Sequence, residues 1–576
     1  MALSRRDFLL ALGAAAAAGL PISNRRAIAS PHLSAFYDIP RFGNVHLLHM
    51  TDCHAQLNPV YYREPSMNLG VGSAVDKLPH IVGDSLLKAI NVPAGSDLAH
   101  AFSCLDFEES ANMFGRIGGF SYLKALVDKL RSERPGAILL DGGDTWQGSA
   151  TALWSRGQDM VDACLLLGVD VMTAHWEMTL GAERVQDIVT NDFSGKIDFL
   201  AQNVKTFDFD DPVFDSFTIK EMNGVPIAVI GQAFPYTPIA NPSHLIPDWS
   251  FGIREYELQQ LVNRIRKQGI KVVVLLSHNG MDVDLKLASR VTGLDAILGG
   301  HTHDGMPVPV IVPNRTGKTI VTNGGSNGKF LGVLDFAVSE SGVTDFRYRL
   351  LPVFSKLIEP DRDMEELIHR VRQPFEQQLL EPLAITEGLL YRRGNFNGSF
   401  DEIILDALID ELNADIAFSP GFRWGTSLLP NATITMEALL EQTATTYSYS
   451  TLTEMTGGTI KVILEDVADN IFNADPYYQQ GGDMVRVGGM TYTIDPNALI
   501  GSRISDMRIG ETLIEANKIY KVAGWAPVRE GVSGEPVWDV VARWLKHKKI
   551  VSAKDPNMPR IKGVDGSLGI TDQCVG

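Results

Sequence analysis

Cysteine is scarce. The 576 residues contain four, Cys53, Cys104, Cys164 and Cys574, far apart and without a CxxC pair or zinc-knuckle spacing. This excludes a small disulfide-framed domain and a cysteine-ligated zinc module, and leaves open whether any two of the four pair. Positive charge is also short, with 51 Lys and Arg against 69 Asp and Glu and a formal charge of −18. A general nucleic-acid-binding role needs a basic face and is excluded on that ground. Gly, Pro and charged residues interrupt every apolar run after the first twenty residues, so no further stretch reads as a membrane span and no membrane insertion is expected of the processed chain. With 45% hydrophobic and 21% charged residues the chain is neither disordered nor fibrous, and its length implies several domains.

The N-terminus carries Ser4-Arg5-Arg6-Asp7-Phe8-Leu9-Leu10, an Ala/Gly/Leu run to Leu20 and an A-x-A-like Ala27-Ile28-Ala29. The pattern resembles a twin-arginine export signal over residues 1–29, which implies a periplasmic protein that folds, and loads any metal, before export. Its removal takes away four arginines and one aspartate, leaving the chain more acidic still.

From Asn44 to about Asp335, short apolar runs alternate with longer amphipathic ones, the pattern of a layered α/β domain. Several runs end in polar clusters: Thr51-Asp52-Cys53-His54, Asp141-Gly142-Gly143-Asp144, Ser277-His278-Asn279-Gly280 and Gly299-Gly300-His301-Thr302-His303. Ligands of open α/β sheets bind at the carboxyl ends of strands, so these remote clusters are expected to converge. A charged helical stretch over residues 357–381 reads as a connecting helix. A second domain with helices at Phe400–Leu412 and Met436–Gln442 follows over 382–576.

The clusters carry metal-ligand chemistry. Asp52 and His54 can chelate one cation, and the carboxylate of Asp144 can bridge two. With His175, His278, His301 and His303 they make two carboxylates and five imidazoles, a mixture suited to Mn, Fe or Zn rather than Ca or Mg. His46 and His49, inside the first strand, read as core or hydrogen-bonded residues.

In this order, Asp52-x-His54, Gly142-Gly143-Asp144, His175-Trp176-Glu177, His278 and Gly300-His301-Thr302-His303 resemble the calcineurin-like metallophosphoesterases, in particular the periplasmic 5′-nucleotidase branch. The likeness continues through Asn323-Gly324-Gly325, Ser419-Pro420-Gly421-Phe422-Arg423 and Met455-Thr456-Gly457-Gly458. It implies an α/β fold: a four-layer metallophosphoesterase domain over 40–356, with two mixed sheets flanked by helices, then a 5′-nucleotidase-like α+β C-terminal domain that binds substrate. It also implies that Asp52, His54, Asp144 and His303 hold one ion and Asp144, His175, His278 and His301 the other.

Where nucleotidases carry Gly-Asn-His-Glu, this chain has Ala174-His175-Trp176-Glu177. His175 can still ligate, but the Trp176 indole cannot act as a general acid. The segments Thr445–Ser448 and Ser533–Trp538 replace those that hold the nucleoside, whereas Arg423, Arg392 and Arg393 remain as candidate anion-binding residues. The combination resembles the periplasmic thiosulfohydrolases of the thiosulfate-oxidising Sox system. That resemblance implies two Mn2+ ions, hydrolysis of a cysteine S-thiosulfonate by a metal-bridging hydroxide, and a carrier-protein partner with a C-terminal cysteine swinging arm. Asp144, His175 and Arg423 are then the expected catalytic residues, with Trp176 and Tyr447 beside the substrate and Tyr449, Tyr477 and Tyr478 as candidate grips on the arm. The competing expectations are a 5′-nucleotidase or cyclic-nucleotide phosphodiesterase, and a binding protein whose metals are structural.

Overall fold

The computed structural model describes residues 36–574; segment 1–29, expected to be an export signal, lies outside the described residues. The metal clusters are borne by five strands: β1 (Val45–Met50), β2 (Ile138–Asp141), β3 (Val171–Met172), β4 (Val272–Ser277) and β5 (Ala296–Gly299). β1, β2 and β3 run parallel in one six-stranded sheet, extended by the strand 198–199 and by the antiparallel pair 330–339 and 342–352. β4 and β5 run parallel in a second six-stranded sheet, between strands 225–232 and 318–323.

Both sheets are mixed and every strand of the five is fully buried, so their sequences are apolar apart from His46 and His49 in β1 and the closing Asp141 and Ser277. Alternate residues face opposite layers. Val45 and Leu47 of β1 pack with Leu140, Val171, Val274, Leu276 and Leu298 between the sheets. Leu48 and Met50 pack outward against helix 120–133. Helices 255–267 and 281–290 cover the second sheet through Leu258, Leu261, Val262, Ile265 and Leu287. His46 and His49 are core residues, His46 with its Nδ1 2.8 Å from Asp335 and His49 buried between strands.

The charged connecting segment forms a helix over Arg362–Arg372, capped by the Asp361 side chain, which accepts from the Met364 amide. Its Met364, Leu367 and Ile368 are part of the first domain's core, so this helix is packed against that domain and not a free spacer. The second domain follows with helices 399–412, 436–443, 457–472 and 537–548 around three small sheets. Its last residues return to the first domain: Asn68 and Thr571 donate backbone hydrogen bonds to Gly569 and Ser66, and Cys574 forms a disulfide with Cys104. Cys53 and Cys164 are buried and free. Among the described residues no helix is long and apolar enough to cross a membrane.

The Cys104–Cys574 bond spans a sequence separation of 470 residues. Cross-linking across so long a loop restricts the unfolded chain, an effect worth about 2–4 kcal/mol in typical proteins. Cys574→Ser is therefore expected to lower the urea midpoint, and a reductant is expected to shift the wild type but not the variant.

His100 lies close to the rings of Phe107 and Phe114, at centroid distances of 5.7 and 5.8 Å, and burial lowers its pKa to about 4. The neutral ring is favoured in the fold, so its contribution is complete above the unfolded pKa near 6.5 and declines as pH falls towards 4. Between pH 7 and pH 5 the wild type is expected to lose about 1–2 kcal/mol from this site. Paired urea titrations at the two pH values should show a smaller loss for His100→Phe.

Candidate metal centre

The registers bring the strand ends together. Met50 pairs with Asp141 and Asp141 with Met172 in the first sheet, while Ser277 pairs with Gly299 in the second. Each strand then turns within one to five residues to a candidate ligand. Asp52, His54, Asp144, His301 and His303 all have positive φ, between 45° and 72°. Such backbone costs about 1–3 kcal/mol per residue outside glycine and persists where the surrounding structure over-determines it. Gly300 is required by proximity: a Cβ there would lie 2.4 Å from Thr51 Oγ1 and 2.9 Å from Asp52 Oδ2.

The result is two buried groups of potential ligand atoms: Asp52, His54, Asp144 and His303, and Asp144, His175, His278 and His301. Within each group the atoms lie within 4.8 Å of one another, and Asp144 is common to both. Asp144 Oδ2 stands 3.2 Å from His175 Nδ1, 3.1 Å from His278 Nε2 and 3.8 Å from His54 Nε2.

Four of the five imidazoles are oriented through their other ring nitrogen. His54 Nδ1 meets the Gln147 carbonyl at 3.2 Å, His278 Nδ1 the Gly142 carbonyl at 2.6 Å, His175 Nε2 the Asn241 side-chain oxygen at 3.2 Å and His301 Nε2 the Gln480 carbonyl at 2.9 Å. Outer contacts of this kind set the tautomer of a metal-ligating histidine.

The donor set fits a pair of divalent cations. His54 Nε2 and His303 Nε2 face each other at 3.0 Å, and the buried His278 Nε2 faces the carboxylates of Asp144 and Asp52. Burial holds His54 down to about pKa 4, and His301 and His303 well below the ordinary imidazole value, so their lone pairs are free to donate. Burial alone would lower His278 too, but the carboxylates of Asp144 and Asp52 raise it to about 10. Burial disfavours charge on Asp144, yet His175 and His278 hold its carboxyl well below the usual range. Soft thiolates are absent from both groups, which leaves an N/O site of the borderline type.

Trp176 sits beside the ligands and bridges the domains. Its ring lies parallel to that of Tyr447 at 5.9 Å and edge-on to Phe422 at 5.1 Å and Trp424 at 4.7 Å. Trp424 in turn lies 5.2 Å from His54. The Tyr447 hydroxyl accepts from Asn241, the residue that also contacts His175. Tyr477 donates to Glu255 under the Lys286 ammonium, an interdomain packing role, while Tyr478 and Tyr449 are exposed.

The arginines divide. Arg423 donates to the carbonyls of His301 and Gly482 and approaches Asp483. Arg393 donates to the Thr302 carbonyl, with its buried Nε unpartnered. Both flank the ligand loop 301–303. Arg392 does not: it is fully buried in the second domain, with Nε on Asp401, Nη1 on the Gln442 carbonyl and Nη2 on the Pro420 carbonyl. The expected substrate contact of Arg392 is not met: the side chain is buried, and its ion pair with Asp401 and both carbonyl contacts lie within the second domain, away from the ligand loop.

Several contributors escape sequence reasoning. Glu177 accepts from the amides of Asp144, Thr145, Trp146 and His175, tying the two ligand loops together. Its place beside Trp176 was the available signal. Phe234 lies 4.1 Å from the rings of both His175 and His301, and Asn241 orients His175. Nothing in their local sequence distinguishes them.

Fold and site together define a two-domain hydrolase of the dimetal type, in the 5′-nucleotidase branch of the metallophosphoesterases. The family described as 5′-nucleotidase, C-terminal domain, matches residues 389–542. The 5′-nucleotidase of Rattus norvegicus is 23% identical over 496 residues, covering 76% of this chain and 84% of the rat protein. Among solved structures, a 5′-nucleotidase precursor from Thermus thermophilus shares the fold, with a TM-score of 0.70, 19% identity and coverage of 90% of this chain and 99% of that one. The sulfate thiohydrolase SoxB of Thermus thermophilus, solved in complex with glycerol, superposes with a TM-score of 0.86 at 36% identity, over 92% of this chain and 98% of that one. The chain belongs to the SoxB family.

Proposed function

We propose that this protein hydrolyses a cysteine S-thiosulfonate carried on a partner protein and releases sulfate. The observation that carries the reading is Trp176, held among Phe422, Trp424 and Tyr447 beside the ligand cluster, in a chain similar over nearly its whole length to a sulfate thiohydrolase. An indole offers no titratable proton near neutrality, so the site suits a leaving group that departs without one.

In the reaction Cys-S-S-SO3− + H2O gives Cys-S-SH, SO4 2− and H+. A water oxygen forms the new S–O bond, the S–S bond breaks, and its electron pair leaves on the carrier persulfide. Asp52, His54, Asp144 and His303, and Asp144, His175, His278 and His301, would hold two divalent ions, proposed as Mn2+, which would acidify water near neutral pH and offset developing negative charge. Asp144 sits between the two ligand groups, His175 and the other imidazoles orient them, and Arg423 with Arg393 is proposed to bind the sulfonate oxygens by charge-assisted hydrogen bonds. Trp176 and Tyr447 wall the site. The partner is proposed to be a carrier with a C-terminal cysteine arm, met in the periplasm after twin-arginine export.

The second reading is a nucleotide phosphohydrolase, favoured by the 5′-nucleotidase relatives over three quarters of the chain. Metal-loaded protein incubated in parallel with thiosulfonated carrier and with AMP separates the two. Sulfate release without phosphate release is expected. Rapid AMP turnover with no sulfate overturns the assignment.

A further inference from the structure

The turn Gln480-Gly481-Gly482-Asp483 belongs to the second domain, yet its Gln480 carbonyl reaches a ligand carried by the first, and its Gly482 and Asp483 groups hold the two second-domain arginines that flank the ligand loop. The Gln480 carbonyl is 2.9 Å from His301 Nε2. The Gly482 carbonyl accepts from Arg423 Nη2 at 2.6 Å. Asp483 is buried and divides its carboxylate: Oδ1 lies 3.4 Å from Arg423 Nε and 3.6 Å from Arg393 Nη1, and Oδ2 takes Arg486 Nη2 at 2.9 Å. Consecutive glycines at φ +74° and +80° reverse the chain so that all three groups reach this junction. The turn is anchored behind by the Gly481 amide on the Asn470 carbonyl and the Asp483 amide on the Gly421 carbonyl.

We propose that this turn is a working part of the metal centre: the Gln480 carbonyl fixes the His301 ring as an ion ligand, and Asp483 is the positioning residue for Arg393 and Arg423. The inference rests on the dimetal hydrolase reading and adds a dependence of ion affinity on the second domain.

The reason is one of donors. When Nε2 donates its hydrogen to Gln480, the lone pair of His301 resides on Nδ1, and the other three oriented histidines follow the same rule with partners from the first domain. His301 alone among these four takes its outer partner from the second domain. Two guanidinium groups beside one another and beside bound cations repel, and the shared Asp483 carboxylate offsets that repulsion while aligning both forks. Arg486 holds the same carboxylate from behind, so Asp483 has little freedom to turn away.

The glycines provide an internal control. A Cβ at Gly481 would lie 2.5 Å from His301 Nε2, whereas one at Gly482 meets its nearest atom, the Gly421 carbonyl oxygen, at 3.8 Å, with the same backbone sign at both positions. Mn2+ affinity and stoichiometry of the full-length protein are measured by titration calorimetry without substrate. Gly481→Ala is expected to weaken one of the two ions by about 10–100-fold, the effect typical of losing an outer-shell partner, while Gly482→Ala keeps both. Asp483→Asn is expected to retain two ions and a kcat within about threefold of wild type, with KM for thiosulfonated carrier and the inhibition constant for inorganic sulfate both raised about tenfold.

Two tightly bound ions in a folded Gly481→Ala, equal losses in both glycine variants, or unchanged KM and sulfate inhibition in Asp483→Asn each overturn the proposal. Should Gly481→Ala not fold, the Asp483→Asn arm decides. Because ion binding is read without substrate, failure of the sulfur-substrate reading leaves that measurement intact and separately interpretable.

Discussion

Asp144→Asn is expected to lower kcat/KM by about 10⁴-fold, equivalent to about 5.4 kcal/mol of transition-state stabilisation, and to leave fewer than two ions per chain. Asp144 is the carboxylate common to both ligand groups, 3.2 Å from His175 and 3.1 Å from His278. An amide keeps the side-chain shape and can still accept from the Trp176 amide, which now reaches Asp144 Oδ1 at 2.7 Å. What it removes is the negative charge that the two cations would share, and charge interactions are screened less in a buried site than at the surface. Metal content by mass spectrometry, read beside sulfate release and a thermal melt, isolates the cause. A variant with two ions, a normal melt and wild-type turnover would remove Asp144 from the centre.

Trp176→Ala is expected to destabilise the protein by about 3–5 kcal/mol, the range for emptying a buried tryptophan site. The ring is 6% exposed and contacts Phe422, Trp424 and Tyr447, all from the second domain. The cavity therefore opens at the junction between domains, where neither core can collapse into it alone. Trp176→Phe keeps part of the apolar volume and should recover much of the loss. Urea midpoints of the three proteins test the order wild type, Phe, Ala. Sulfate release is expected to fall in the alanine variant more than its folded fraction accounts for, because Trp424 lies against both Trp176 and His54. If the alanine and wild-type midpoints coincide, the aromatic cluster is not what joins the domains here.

These two residues differ in how far they could be read in advance. Asp144 lies in a glycine turn directly after an apolar run, a local pattern with one obvious structural outcome. Trp176 stands out against the nucleotidase pattern, but its neighbours Phe422, Trp424 and Tyr447 lie about 250 residues away and no spacing connects them. The placement of Arg392 escapes local reading for the same reason. An arginine next to Arg393 has no local mark that assigns one side chain to a buried pair with Asp401 and the other to the ligand loop.

Taken by itself, the amino-acid sequence determined the apolar runs of the first domain and the candidate ligands beside them, because both depend on chain-local physics: apolar runs of strand length and polar turns that carry imidazoles and carboxylates. Tertiary structure alone decided the pairing of Cys104 with Cys574, the separate fates of three arginines, and the arrival of Gln480 and Asp483 at the site. Those outcomes are set by packing between segments hundreds of residues apart, where distance in space is independent of distance along the chain.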